Sequence, residues 1–208
     1  MYITGSGTSY HSALLAKHIL SRYSKIRVES IMSSEFQYSS ELLDKNSVLI
    51  AISQSGETAD VLQSVKSAKE KGARVLSIVN VSTSSLARLS DCFLEVKCGP
   101  EIGVAATKSF TSQLSIIYHI ADRVGGNLTG ISTEERELSN AIEKTLQLET
   151  NIAEIARRVK DVKDIYILGR SIHFPICLEG ALKIKELAYI HAEGIAAGEL
   201  KHGPLALI

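Results

Sequence analysis

Val48-Leu49-Ile50-Ala51-Ile52-Ser53-Gln54-Ser55-Gly56-Glu57-Thr58 is the stretch on which the fold of this 208-residue chain turns. It opens on five apolar residues, too few for a free-standing helix and closed by a turn signal. Such a run reads as a strand buried on both faces of a parallel sheet. Three small polar side chains and a glycine follow. Then Ala59 to Lys71 carries Val61, Leu62, Val65 and Ala68 at helical spacing. The unit is strand, hydroxyl-rich loop, helix. A loop of this kind aims hydroxyls and backbone N–H groups at one spot, and the helix adds partial positive charge there. That chemistry suits an anion of phosphate size. The plainer alternative is that Ser55 or Thr58 merely caps the helix. A cap needs one such residue, whereas this loop offers Ser53, Gln54, Ser55 and Thr58.

The same pattern recurs on either side. Met1–Thr4 reads as a strand, Gly5-Ser6-Gly7-Thr8-Ser9 as a second glycine–hydroxyl turn, and Tyr10 to Tyr23 as a helix. This turn is neither a P-loop nor a full GxGxxG. Lys25–Ser30 is expected as a strand and Ser34–Leu43 as a short helix. Beyond the central unit, Arg74–Asn80 and Cys92–Lys97 read as strands, with a short helix between them that starts at Ser84 or Ser85. The loop Gly99–Lys108 then leads into a helix over roughly Thr107 to Val124, and Gly125-Gly126-Asn127 closes the unit. Strands alternating with helices over short links predict an α/β fold, a three-layer parallel sheet flanked by helices. In such sheets ligands bind beyond the carboxyl ends of the strands. All three loops leave such ends, so they converge on one pocket.

Residues Thr133 to Val159 are charge-rich and amphipathic, a helical connector packing on one side. The strand Asp164–Gly169 then begins an internal repeat. Tyr2-Ile3-Thr4-Gly5 matches Tyr166-Ile167-Leu168-Gly169, Glu29-Ser30-Ile31 matches Glu193-Gly194-Ile195, and Glu35 matches Glu199, all at one ungapped offset. The expected organisation is a complete unit over 1–126, a connector over 127–163 and the first part of a second copy over 164–208. The apolar, unheralded first strand and the apolar run Leu205–Ile208 read as ends cut from something longer. In the second unit Pro175 suits a first helical position. Glu179, Lys183 and Glu186 fall on one helix face. They form either a solvated salt-bridge stripe or an acid–base pair in a pocket. His202, before Gly203-Pro204, is either structural or catalytic.

Composition narrows the partners. Lys+Arg and Asp+Glu both number 23, so no basic surplus points to nucleic acid. No apolar run reaches the length of a membrane span, and no basic region followed by an apolar stretch marks a signal peptide. The three cysteines form no CxxC pair, which points to a reducing, cytoplasmic setting and no metal site. No cofactor is expected.

Ser53-Gln54-Ser55-Gly56-Glu57-Thr58, Glu101-Ile102-Gly103-Val104-Ala105 with Thr107-Lys108, and the run Leu178 to Leu207 resemble one family. It is the isomerase part of the glutamine–fructose-6-phosphate aminotransferases, also called glucosamine-6-phosphate synthases, built from two flavodoxin-like sugar-isomerase (SIS) domains. The resemblance covers nearly the whole chain. It implies a fructose 6-phosphate substrate and a glucosamine 6-phosphate product. It implies that Thr8, Ser9, Ser53, Gln54, Ser55 and Thr58 hold the sugar phosphate, and that Val104 lines the sugar through its backbone. Glu186 would move a proton between C1 and C2, with Lys183 and Glu179 beside it. His202 would open the sugar ring, reaching into the neighbouring subunit of a homodimer. Ala106 stands where the family commonly has serine, removing one implied sugar contact. The family's C-terminal catalytic lysine and its glutaminase domain lie outside these 208 residues.

Overall fold

The computed structural model describes the backbone of residues 1–126 and 131–207, and the side chains of 1–126 and 137–207. Ile50 and Ile52 face one side of the central strand, Leu49 and Ala51 the other, and all four are buried. This is why strand β3 (Val48–Ser53) reads as an unbroken apolar run. It lies between β1 (Tyr2–Gly5) and β4 (Arg74–Val79). With β2 (Glu29–Met32) and β5 (Cys92–Glu95) these strands form a five-stranded parallel sheet in the order β2-β1-β3-β4-β5. Helices α1 (Thr8–Tyr23) and α4 (Lys108–Val124) supply Leu15, Ile19, Ile117 and Ala121 to one face. Helices α2 (Ala59–Glu70) and α3 (Ser85–Leu89) cover the other with Val61, Val65 and Leu86. The result is the expected three-layer α/β architecture. Strand order reverses between β1 and β3, the switch point where the loops of an open α/β sheet part to form a crevice.

Most elements fall within a few residues of their expected spans, and two differ more. The strand predicted from Lys25 starts at Glu29, because Lys25 takes a left-handed φ of 56° and pairing with Tyr2 begins only at Glu29. The helix predicted over 34–43 is two short 3₁₀ segments, Ser33–Tyr38 and Ser40–Leu42. The expected end at Asn127 lies outside the described residues. The charged segment forms two helices, α5 (Ile131–Leu146) and α6 (Glu149–Val159).

Strands β6 (Asp164–Gly169) and β7 (His191–Ala196) form a separate parallel pair, joined by α7 (His173–Ala188). The repeat seen in the sequence reappears as register. Tyr2 pairs with Glu29 and Gly5 with Met32, while Tyr166 pairs with Glu193 and Gly169 with Ala196. Backbone signs repeat too: Gly7 and Lys25 have positive φ, and so do their counterparts Ser171 and Tyr189. Gly5 and Gly169 do the same job. A Cβ on Gly5 would lie 2.8 Å from the Ser9 carbonyl, and one on Gly169 would overlap that of His173.

Candidate functional site

The loop after β3 divides its labour among its residues. Ser53 is buried, accepts the Gly56 N–H at 3.0 Å and shares a 3.2 Å hydrogen bond with Thr58 Oγ1. Gly56 takes φ 69° under Ser84, which any Cβ would overlap. Its carbonyl accepts the Leu86 N–H, and Glu57 accepts the Ser85 N–H at 2.7 Å, so the loop is pinned to the start of α3. These hydrogen bonds hold the Glu57 carboxyl below its ordinary range. Ser53, Gly56 and Glu57 therefore build the loop. Gln54, Ser55 and Thr58 are half-exposed and present it. Ser55 Oγ accepts the Glu57 N–H at 3.2 Å, leaving its own hydrogen to donate.

The capping alternative fails. Thr58 occupies the N-cap position of α2 but makes no side-chain cap; its hydroxyl turns to Ser53 instead. Helix α1 is likewise uncapped, since its N-cap is Gly7. Neither helix N-terminus at the switch point thus carries a capping side chain; at α1 the Ser9 and Tyr10 N–H groups turn back to the Ser6 and Gly7 carbonyls, while the start of α2 keeps the arrangement that favours an anion. Ser9, in the first turn of α1, is buried. Its oxygen accepts Gln113 Nε2 of α4 at 3.2 Å, and Ser12 donates to Gln113 Oε1 at 2.7 Å.

The Glu179, Lys183 and Glu186 stripe is not a solvated face. Glu179 is 6% exposed, and α7 turns it onto α1. Glu179 Oε1 accepts Thr8 Oγ1 at 2.9 Å and lies 3.2 Å from Lys183 Nζ, while Oε2 lies 2.7 Å from His11 Nδ1. Lys183 also donates to Thr8 Oγ1 at 3.1 Å and to Glu186 Oε2 at 2.6 Å. The ammonium thus donates two hydrogen bonds and forms an ion pair with Glu179. Burial pushes the Glu179 carboxyl up, but the hydrogen bonds from His11 and Thr8 and the positive charges of Lys183 and His11 outweigh it. The net shift is downward, so Glu179 is a carboxylate.

The other predicted residues lie apart. Val104 sits at the tip of the loop between β5 and α4 with its side chain 89% exposed. That loop folds on Glu101, whose carboxylate accepts the N–H groups of Thr107 and Ser109 and the Ser109 hydroxyl. Burial raises the Glu101 carboxyl, but these three donors and Lys108 bring it below its ordinary value. His202 is exposed, its backbone N–H bonded to the Glu199 carbonyl. A cleft of ≈ 630 Å³ lies beyond β3, β4 and β5, lined by Gln54, Asn80, Ser82, Lys97 and Glu101. It contains none of the α7 stripe.

Sequence reasoning missed His11, Gln113 and Glu101. For His11 one signal existed: it lies three residues after Thr8, on the same face of α1. Among the described residues no helix is long and apolar enough to cross a membrane, and no group of three or more His, Cys, Asp or Glu could hold a metal ion.

Comparison with known proteins places the chain in a family. A glutamine–fructose-6-phosphate aminotransferase (isomerizing) of Pyrococcus horikoshii is 49% identical over 99% of this chain. The chain spans only 35% of that relative's length. The solved C-terminal domain of glucosamine-fructose-6-phosphate aminotransferase from Francisella tularensis is 40% identical, with a TM-score of 0.91 over the whole chain and 61% of its own. The solved glucosamine-6-phosphate deaminase of Thermotoga maritima is 26% identical, with a TM-score of 0.79 over the whole chain and 64% of its own. The sequence profile of the SIS domain matches residues 1–123 and 159–208, and with the parallel sheet and its two hydroxyl loops this makes the chain a member of the SIS domain family.

Proposed function

We propose that this chain is the isomerase part of a glutamine–fructose-6-phosphate aminotransferase. It binds fructose 6-phosphate and, once ammonia has added at C2, converts the ketose to the aldose amine, glucosamine 6-phosphate. The observation that carries this reading is the pair of uncapped helix N-termini at the switch point, beside a half-buried carboxylate–ammonium–carboxylate cluster. In this reading the phosphate takes hydrogen bonds from the side chains of Ser9, Gln54, Ser55 and Thr58 and from the opening amides of α2. Ser53 shapes the loop from within, and Thr8 links the phosphate end to the α7 cluster. Glu186 takes the proton from C1 of the C2 imine and returns one to C2. A carboxylate suits that transfer between adjacent carbons. Lys183 holds Glu186, and Glu179 holds Lys183. The Val104 backbone lines the sugar. His202 opens the ring from a neighbouring subunit, which makes the protein a cytoplasmic homodimer.

The same reading divides the chain into a first SIS domain over 1–126, a helical connector over 127–163 and the start of a second SIS domain over 164–208. The matched registers of β1–β2 and β6–β7 support it. Synthesis from glutamine belongs to the longer protein that the relatives represent. Glu186→Gln in that full-length protein is expected to abolish isomerisation while phosphosugar binding by calorimetry persists. Undiminished turnover would refute the role of Glu186. The likeness to a deaminase favours one second reading, a deaminase or simple isomerase on this fold. Release of ammonia from glucosamine 6-phosphate would select the deaminase, and turnover of fructose 6-phosphate that does not require ammonia would select the simple isomerase.

A further inference from the structure

The geometry points to His11 as a positioning residue for the acid–base helix, a role that rests on the function proposed above. Glu179 is a carboxylate with two oxygens and three partners on two helices. Oε1 serves Thr8 and Lys183, and among the described residues only His11 engages Oε2, at 2.7 Å. An ionised carboxylate cannot donate, so His11 presents Nδ1–H to it. That bond fixes the rotation of the carboxylate about its last side-chain torsion. With the torsion fixed, Oε1 stays between Thr8 and Lys183, and the Lys183 ammonium stays aimed at Glu186 Oε2 at 2.6 Å. Without it, Oε1 and Oε2 become free to exchange. Lys183 then loses a constant acceptor, and Glu186 loses the fixed donor that orients it.

The imidazole is well placed for such a task. Its side chain is 14% exposed, wedged between α1 and α7 rather than reaching solvent. It is one helical turn beyond Thr8, so the two donors grip one carboxylate from a single rigid helix face. Glu186 is three residues beyond Lys183 on α7, so displacement of the ammonium passes directly to the base. A reacting group misplaced by about 1 Å can cost on the order of 100-fold in rate.

Two substitutions in the full-length enzyme separate hydrogen bonding from packing. His11→Leu keeps an apolar body of similar size but has no donor. His11→Asn loses volume yet keeps an N–H close to where Nδ1 stood. Isomerisation of fructose 6-phosphate with ammonia would be followed for kcat and KM, with melting temperatures recorded for each variant. His11→Leu should lower kcat about 10- to 100-fold and leave KM within about threefold, while His11→Asn stays within about threefold of wild type in both. Wild-type kcat in His11→Leu, or equal losses in both variants, overturns the role of His11. Should His11→Leu fail to fold, impaired kcat in a folded His11→Asn overturns it equally, and wild-type kcat there sustains it. Glu186→Gln, run beside them, tells the two levels apart. An active Glu186→Gln sinks the functional reading itself, whereas an inactive one with an unaffected His11→Leu sinks only this inference.

Discussion

Glu179 shows how one side chain can be both a cost and a brace. Burial pushes its carboxyl up; His11, Thr8 and Lys183 outweigh that push and bring it below the ordinary value. Because its folded carboxyl lies below the ordinary 4.5, its contribution is complete above that value and disappears as pH falls through the depressed folded value. Glu179→Gln should therefore be less stable than wild type at pH 7, by about 1.5–3 kcal/mol for hydrogen bonds to a charged group. The gap should close as the pH is lowered through and below the ordinary carboxylate range. Urea unfolding at a series of pH values measures it, and a gap that widens on acidification would contradict the assignment of Glu179 as the ionised partner. The contacts with Thr8 and His11 were not legible in the sequence. His11 and Glu179 lie 168 positions apart, and no local pattern says that one finds the other. The stripe itself was legible as helix spacing. Its burial depended on which way α7 rolled.

At the scale of elements, the strand–loop–helix unit over 48–71 was readable because each of its parts has a local cause. The apolar run has two buried faces to fill, and the loop has a glycine where φ must be positive. The failures were local conflicts won by distant partners. Lys25–Val28 has strand-like composition, but the ladder with β1 begins only at Glu29. Thr58 has the chemistry of a cap, yet Ser53 takes its hydroxyl. Gly56 joins the local and distant causes, since its strained φ and its closeness to Ser84 both exclude a side chain. Gly56→Ala should cost about 1–3 kcal/mol, from a left-handed backbone and overpacking combined. Splaying the loop from α3 would also remove the Ser55 and Thr58 hydroxyls from a common focus. Phosphosugar binding should then fall by at least tenfold in calorimetry, more than the loss of any one presented hydroxyl. Unchanged affinity would mean that the loop does not serve the ligand.

Across the whole molecule, stability should be unequal between the two sheets. Strand β3 is buried along nearly its whole length and has a neighbour on either side, with helices on both faces. Among the described residues strands β6 and β7 pair only with each other, and each leaves several residues exposed or half-exposed. Helix α7 covers them closely, because a Cβ on Gly194 would come 2.8 Å from Cys177 and Leu178 backbone atoms. A two-stranded sheet is marginal by itself and borrows stability from what packs on it. Here α7 is tied to the larger unit through Glu179 on Thr8 and His11. Hydrogen exchange followed by mass spectrometry should find β1, β3 and β4 amides slowest at pH 7, and β6 and β7 amides opening at much lower free energy. After correction for the intrinsic rate, lowering the pH through the Glu179 titration should selectively deprotect β6, β7 and α7, because that carboxylate is the charged tie between the units. Equal protection of β6 and β3, or a uniform loss of protection on acidification, would show instead that the chain opens as one cooperative body and that the Glu179 tie carries no special share.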